Sequence, residues 1–312
     1  MIKITPAQFF AAMCVLAFHA GPAQAQNTRS FISAGGSDGN PCTRVAPCRT
    51  LQIAHNNTNP EGEINMLDPA GYGAVTITKS ISIVNDGVGS AGILVPPGQT
   101  GITINGAGVV VNLRGLIIEG AGAGQTGVKF TNGKSLTIEN CVVRGHTSIG
   151  ILFLSTTTSN LSILNTLVSD NAASGIGVAP TGSSVTVTAV FNRVEVQNNG
   201  GHGISVDGPG ATGNITAVVE ESVAAHNGDV GFRVSSTSAV ATLLVNRSVS
   251  INNVTGLRAS NGSATLRIGQ SVVTGNATSW DAVTSGILRS YADNYIDGNF
   301  DGNPAPTSIV KK

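Results

Sequence analysis

Few residues of this 312-residue chain have the types and spacing that chemistry requires. Cleavage of a glycosidic bond needs two carboxyl groups within about 10 Å, and a calcium site needs several carboxylates gathered together. Copper is disfavoured because Met66 is the single methionine after residue 25 and no histidines cluster. The acidic residues between Gly101 and Trp280 are scattered: Glu119, Glu139, Asp170, Glu195, Asp207, Glu220, Glu221 and Asp229. The sequence therefore predicts no catalytic residue, no metal and no cofactor.

A repeat of about 25 residues runs along the chain, and its fold must position these side chains. Each repeat has a glycine followed by an apolar-x-apolar triplet, and two more short alternating runs lie between successive triplets. The glycines are Gly101, Gly127, Gly150, Gly175, Gly203, Gly231 and Gly256, with a degenerate copy at Trp280. Three short strands per repeat and no helix-length segment predict an all-β fold, a single-stranded parallel β-helix of about eight coils.

A second marker runs in phase with the glycines. An asparagine lies four residues before the start of each later coil, and amides stacked at one corner can bond to the coils above and below. The residues predicted to form this ladder are Asn171, Asn199, Asn227, Asn252 and Asn276.

The coil alignment also predicts which polar residues share the outer face, because side chains alternate along a strand. Ser205, Arg233 and Arg258 should form one column, with Asp207 and His202 beside it. Either Asp207 and solvent ions screen the two guanidinium groups, or the column binds an acidic group. These five residues are the candidate ligand site. The outer stripe is predicted to end at Ala282 and Thr284.

The same alignment places charged residues of neighbouring coils side by side. The expected pairs are Arg114 with Glu139, Glu119 with Arg144, and Arg193 with Glu221.

The N-terminal segment 1–25 is typical of a secretory signal peptide. Lys3 precedes an apolar run, and Ala23-Gln24-Ala25 predicts cleavage near Ala25 and a secreted or periplasmic protein. No second apolar stretch follows, so no membrane span is expected. The formal net charge is zero, which argues against a nucleic-acid partner.

The predicted organisation after the signal peptide is an N-terminal cap over 26–60, the β-helix over 61–300 and a C-terminal tail over 301–312. Leu51 and Ala54 have helical spacing and suit a short capping helix. Cys42 and Cys48 close a small loop. A disulfide is favoured there over a zinc site, because no second cysteine or histidine pair is near. Cys141 is expected to be buried and free, and the polar tail offers no further strand.

The segment from Phe31 to Ile83, with GSDGNPC, PCRTLQIA and GEINMLDPAGYGAVTITKSISI, resembles the opening of bacterial right-handed β-helix repeat proteins of the pectin-lyase-like superfamily. The later Asn…Gly-Ile-x-Val coils match the same superfamily. The resemblance implies a right-handed parallel β-helix, a fold that hosts lyases, hydrolases, esterases, adhesins and non-catalytic proteins.

Gly201-His202-Gly203 is similar to the Gly-His-Gly motif of polygalacturonases. The preceding coils carry Ser174 and Ile149 at the equivalent positions, and the paired aspartates of that family are missing. We therefore expect a secreted, non-catalytic β-helix that binds a polysaccharide or another surface partner along one face. The alternative is a polysaccharide lyase or glycoside hydrolase with an unrecognised site.

Overall fold

A computed structural model describes residues 27–208 and 213–311. The predicted signal peptide, residues 1–25, lies outside the described residues. The chain winds through three parallel sheets in turn, called A, B and C here, and completes about nine coils rather than eight. In the described part of the chain, no helix is long and apolar enough to cross a membrane.

The described elements are one helix, α1 (Leu51–Asn57), and twenty-nine strands. The strands are β1 (Asn27–Ile32), β2 (Thr58–Met66), β3 (Val75–Ile77), β4 (Ile81–Val84), β5 (Gly92–Leu94), β6 (Thr100–Asn105), β7 (Val110–Arg114), β8 (Ile117–Glu119), β9 (Thr126–Asn132), β10 (Ser135–Glu139), β11 (Val142–Arg144), β12 (Ile151–Phe153), β13 (Ser159–Leu164), β14 (Leu167–Ser169), β15 (Ile176–Val178), β16 (Val187–Asn192), β17 (Glu195–Gln197), β18 (Ile204–Asp207), β19 (Asn214–Glu220), β20 (Val223–Ala225), β21 (Val230–Ser235), β22 (Val240–Asn246), β23 (Val249–Ile251), β24 (Thr255–Ser260), β25 (Ala264–Gly269), β26 (Val272–Thr274), β27 (Thr278–Val283), β28 (Ile287–Ser290) and β29 (Tyr295–Ile296).

Each sheet stacks equivalent strands of successive coils. Sheet A has the order β1-β2-β4-β7-β10-β13-β16-β19-β22-β25-β28. Sheet B runs β5-β8-β11-β14-β17-β20-β23-β26-β29, and sheet C runs β3-β6-β9-β12-β15-β18-β21-β24-β27. The apolar residues of the sheet C triplets that follow Gly101 to Gly256 point inward as predicted. Phe130 and Phe153, for example, are fully buried and stack with ring centroids 4.3 Å apart.

The N-terminal end is covered by α1 and the cysteine loop. Thr50 caps the helix by accepting a hydrogen bond from the Ile53 amide, and Leu51 and Ala54 are buried. The disulfide between Cys42 and Cys48 is confirmed and buried. Cys141 is free and buried, and burial raises the pKa of its thiol to about 11.

The C-terminal tail covers the other end, so the expectation that it offers no further strand partner is wrong. Ser308 forms a parallel bridge with Ser290, and the Ile309 amide donates to the Ser290 carbonyl at 2.8 Å. The Trp280 indole donates to the Pro304 carbonyl at 2.7 Å. The last coil would otherwise expose the backbone groups of its edge strands, and these contacts satisfy part of them.

The asparagine ladder occupies the corner between sheets B and C, with one correction. Asn253, and not Asn252, stands in the stack. Asn252 is exposed at a φ of 55°, a left-handed position that asparagine tolerates well. Asn253 is buried and accepts from the Asn227 amide at 2.9 Å. The stack comprises Asn171, Asn199, Asn227, Asn253, Asn276 and Asn299.

A second ladder, which the sequence analysis missed, lies at the corner between sheets A and B. There a serine or threonine hydroxyl accepts from the backbone amide of the preceding coil, as in Ser222 to Ser248 at 3.1 Å and Ser248 to Ser271 at 3.1 Å. Serine is common throughout this chain, so its periodic placement did not stand out.

Two of the three predicted charge pairs are confirmed. Arg144 bonds Glu119 at 2.6 Å, and Arg193 bonds Glu221 at 3.1 Å. Arg114 and Glu139 are neighbours in register, but the expected ion pair between them is wrong. The Arg114 guanidinium instead bonds a turn carboxylate of the preceding coil, Asp86, at 2.5 Å.

Candidate functional site

The polar column on sheet C is built by three adjacent strands, β18, β21 and β24. Ser205 lies in register with Arg233, which lies in register with Arg258. The next position of the column is Asp281 on β27.

The predicted end of the outer stripe at Ala282 and Thr284 is therefore wrong by one residue. Ala282 pairs with the buried Ala259, and Thr284 lies beyond the end of β27. A shift of one residue moves every side chain of a strand to the opposite face. The shift concealed Asp281, a carboxylate of the site.

The first half of the site contains Ser205, Asp207 and Arg233. The Ser205 hydroxyl donates to Asp207 at 2.6 Å, and Arg233 donates to the Ser205 oxygen at 2.8 Å. The same guanidinium nitrogen, Nη1, also contacts the other oxygen of Asp207. About a fifth to a quarter of the Arg233 and Asp207 side chains is exposed. Their mutual bonds hold both groups rigidly, and among the described residues Arg233 makes no bond through Nε or Nη2.

Arg258 organises the second half of the site. Its Nε donates to both oxygens of Asp281, at 2.8 and 3.0 Å, and its Nη1 donates to Asp229 at 3.3 Å. Its Nη2 donates to the Thr255 hydroxyl at 3.1 Å. The hydrogen bond with Asp281 is the main cause that raises the pKa of Arg258 above its usual value. This arginine joins two carboxylates and uses all three of its nitrogens.

His202 lies at the edge of the site, on the turn before β18. Its Nδ1 accepts from the Val230 amide at 3.4 Å and lies 3.4 Å from an oxygen of Asp229. Burial lowers the pKa of His202, and the charge of Arg233 lowers it further, while Asp229 and Asp207 oppose this change. The ring is therefore neutral near pH 7. Acceptance from the Val230 amide requires the proton to be on Nε2.

The charges of the site are more than balanced. Two guanidinium groups face three carboxylates, because Asp229 and Asp281 join Asp207. The structure therefore favours the interpretation in which carboxylates screen the two arginines. It does not favour the interpretation in which the column is a vacant site for an acidic group.

The geometry also bears on metal and acid–base chemistry. Within residues 27–208 and 213–311, no three His, Cys, Asp or Glu side chains gather closely enough to hold a metal ion, so these residues do not fit a calcium site. Each of the three carboxylates is bonded to a guanidinium group, so each already has a charged partner. Asp281 could have been found by aligning the coils on Asn253 and Asn276, which are separated by the same 23 residues as Arg258 and Asp281.

Comparison with known proteins identifies the fold. Residues 66–217 match the family model described as a right handed beta helix region. No curated protein sequence is significantly similar to the chain. Among solved structures, the pectate lyase Pel9A superposes with a TM-score of 0.60 at 17% sequence identity, over 90% of this chain and 77% of that one. At this identity the likeness shows the fold alone. Together with the three-sheet topology, these matches confirm the fold that the resemblance found in the sequence implies, a right-handed parallel β-helix.

Proposed function

We propose that this protein is a secreted, non-catalytic β-helix that binds a polysaccharide through the sheet C site formed by His202, Ser205, Asp207, Arg233 and Arg258. The site's own bonds carry the proposal. Each of its carboxylates is held by an arginine, yet Arg233 retains two nitrogens, Nε and Nη2, without a partner among the described residues.

Such a site suits hydroxyl-rich ligands better than polyanions. Sugar hydroxyl groups both donate and accept hydrogen bonds, and the site offers donors on Arg233 and His202 beside acceptors on Asp207 and Asp229. Its excess of carboxylate repels a polyanion. Because the bonded network is already formed, little side-chain entropy is lost when a ligand binds. A buried disulfide suits the oxidising compartment in which a secreted protein would meet a polysaccharide.

The alternative of a lyase or hydrolase rests on the pairing of His202 with Asp229 and on the likeness of fold to a pectate lyase. The pairing is long, and Arg258 shares the same carboxylate. Among the described residues of the site, every carboxylate is bonded to an arginine, so we favour binding over catalysis.

Binding and product formation should be measured together on one panel of polysaccharides: neutral glucan, galactan and xylan, and acidic polygalacturonate and alginate. We expect a neutral polymer to bind without release of new reducing ends or unsaturated products. Arg233→Ala should weaken this binding by about tenfold, because charge-assisted bonds are the stronger ones. His202→Ala should have a smaller effect.

Arg193→Ala is the matched control, since it removes one arginine from the turn before β17, away from sheet C. The proposal fails if no polymer binds, or if the control weakens binding as much as Arg233→Ala does. Degradation of a polymer that is abolished by His202→Ala or Asp207→Ala would establish the enzyme alternative instead.

A further inference from the structure

Two arginines on sheet A stand next to each other, and neither has a counter-ion among the described residues. Arg267 on β25 and Arg289 on β28 are register partners on adjacent parallel strands. Their strand neighbours Leu266, Ile268 and Leu288 are buried, so both arginines point to the outer face. Their Cα atoms are separated by about the inter-strand distance of 4.8 Å.

Neither guanidinium group has a hydrogen bond or an ion pair in the described part of the chain. Two acidic side chains of this part of the molecule are engaged with other cations. Glu220 is bonded to Arg247, and Asp293 is bonded to Lys311. Like charges placed opposite each other on a sheet destabilise it, so this arrangement needs an explanation.

The other nine arginines make the contrast clear, because each has a partner. Seven are ion-paired: Arg29, Arg114, Arg144, Arg193, Arg233, Arg247 and Arg258. Arg44 and Arg49 lie over the aromatic rings of Phe31 and Tyr72. Only the pair on sheet A combines adjacency with the lack of any partner among the described residues.

The surface beside the pair is shaped by Gly269. A methyl group added at Gly269 would lie 3.1 Å from the Tyr291 ring, 3.3 Å from the Asn246 side-chain oxygen and 3.6 Å from a carboxylate oxygen of Asp293. These side chains cover the position, and the Asp293 carboxylate is itself held by Lys311 and by the Gln270 amide.

We propose that Arg267 and Arg289 form an oxyanion-binding site that takes a carboxylate, sulfate or phosphate group bridged between the two guanidinium groups. The planar donor fork of arginine matches such groups in a bidentate manner. The bound anion would also remove the repulsion between the two charges. This site lies on a different sheet from the proposed polysaccharide site and does not depend on it.

The test compares thermal unfolding in sodium sulfate, sodium phosphate and sodium chloride at equal ionic strength. A ligand that binds the native state raises the melting temperature as its concentration rises above the dissociation constant. We expect a specific rise with sulfate or phosphate in the wild type, and its loss in Arg267→Gln/Arg289→Gln. Calorimetric titration of sulfate should show at least about a tenfold weaker affinity in the double variant.

Sulfate also stabilises proteins in general by exclusion from their surface. An equal rise in the wild type and the double variant would therefore overturn the proposal. Arg144→Gln, which removes an arginine paired with Glu119, is the control and should retain the specific rise. Should the double variant fail to fold, Arg289→Gln alone on the last strand of sheet A provides the same comparison.

The source of the oxyanion is distinguished by adding polygalacturonate or a sulfated glycan. If a polymer binds the wild type in competition with sulfate, and its binding is lost in the double variant, the site takes the charged group of a polysaccharide. Binding of the inorganic ions alone assigns it to a free anion. Arg144→Gln should leave both results unchanged, which assigns them to the sheet A pair and not to surface arginines in general.

Discussion

The corner between sheets B and C and the outer face of sheet C use polar side chains in opposite ways. At the corner, each central amide is buried and fully bonded. Asn227, for example, accepts from the amide of Asn199 and donates to Asn253 and to the Val196 carbonyl. On the face, Arg233 and Asp207 remain partly exposed, and the arginine keeps two nitrogens without a partner in the described residues.

This difference separates stability from recognition. A buried polar group with every bond satisfied stabilises the stack and has nothing left to offer a ligand. A partly exposed group in a rigid network adds less stability, because water competes for its bonds. Such a group remains available to bind a ligand. We therefore expect substitutions at the corner to lower the free energy of unfolding, and substitutions on the face chiefly to alter binding.

The largest effect is expected from Asn227→Ala in the middle of the ladder. It removes the acceptor of the Asn199 amide groups and the donor to Asn253. Leaving such buried groups unsatisfied should cost about 3 kcal/mol in the free energy of unfolding, measured by urea denaturation. Asn276→Ala should cost a similar amount, because Asn299 continues the stack beyond it.

Asn252→Gly is the matched control for the ladder. Asn252 is exposed and left-handed, a conformation that glycine adopts freely. The expected change is below about 0.5 kcal/mol. Equal losses at Asn227 and Asn252 would show that the corner is not stabilised by stacked amides.

A smaller effect, with the opposite sign, is expected from His146→Asn. His146 occupies the ladder position one coil before Asn171 and is buried. Its Nε2 bonds the Ile118 carbonyl, while its Nδ1 is buried without a partner among the described residues. Asparagine should repeat the geometry of the later coils and raise the free energy of unfolding by about 1 kcal/mol at pH 7.

The pH dependence sharpens this prediction. Burial lowers the pKa of His146 in the native state below its usual 6.5. The unfolded chain therefore binds the proton more readily, and stability is lost as the pH falls from about 6.5 toward the lowered native pKa. His146→Asn should reduce this loss, as followed by urea midpoints between pH 7 and 5. His55 and His202 also have lowered pKa values, so part of the acid sensitivity will remain. An unchanged pH dependence would exclude His146 as a source.

The two errors of the sequence analysis in the ladder and at the site share one physical cause. Gly231 lies four positions after Asn227 of the ladder, whereas Gly256 lies only three positions after Asn253. A spacing fixed at four residues therefore selected Asn252. The same spacing aligned Trp280 with Gly256, whereas in the structure Trp280 pairs with Leu257. The strand pattern predicts coils and inward side chains because burial repeats every second residue. Turn length is less constrained, since a loop at the surface can lose a residue.

The hydrogen-bond partners of the site residues were harder to predict than the alignment of these residues in one column. Ser205, Arg233 and Arg258 follow from strand register, which the glycine spacing defines. Asp229 lies in a turn, and its contacts with Arg258 and His202 depend on side-chain conformations that no spacing encodes. The unpaired arginines of sheet A were missed because the alignment sought opposite charges and ended at the coil of Trp280, before β28.

An intermediate loss of stability is expected on the sheet C face. Arg258→Ala removes the partner of Asp281 and Asp229 and should lower the free energy of unfolding by about 2 kcal/mol, whereas Arg233→Ala, which leaves Asp207 bonded to Ser205, should cost about 1 kcal/mol. Urea denaturation at low and high salt tests both values. If Arg233→Ala destabilises as much as Asn227→Ala, the separation of stability from recognition fails.

The smallest effect is expected at an exposed charge pair, Arg193–Glu221, which lies outside both ladders. The two side chains are 63% and 41% exposed, and such pairs contribute at most about 1 kcal/mol. Arg193 also has a left-handed φ of 53°, a conformation that Asn165 adopts at the same turn one coil earlier. Arg193→Asn therefore loses a weak ion pair and gains a residue better suited to the backbone. The net change should lie within about 0.5 kcal/mol.

A double-mutant cycle with Glu221→Gln isolates the coupling energy between Arg193 and Glu221, which should fall as salt is added. A coupling above about 2 kcal/mol would mean that the outer surface stabilises the coils as strongly as the buried amides do.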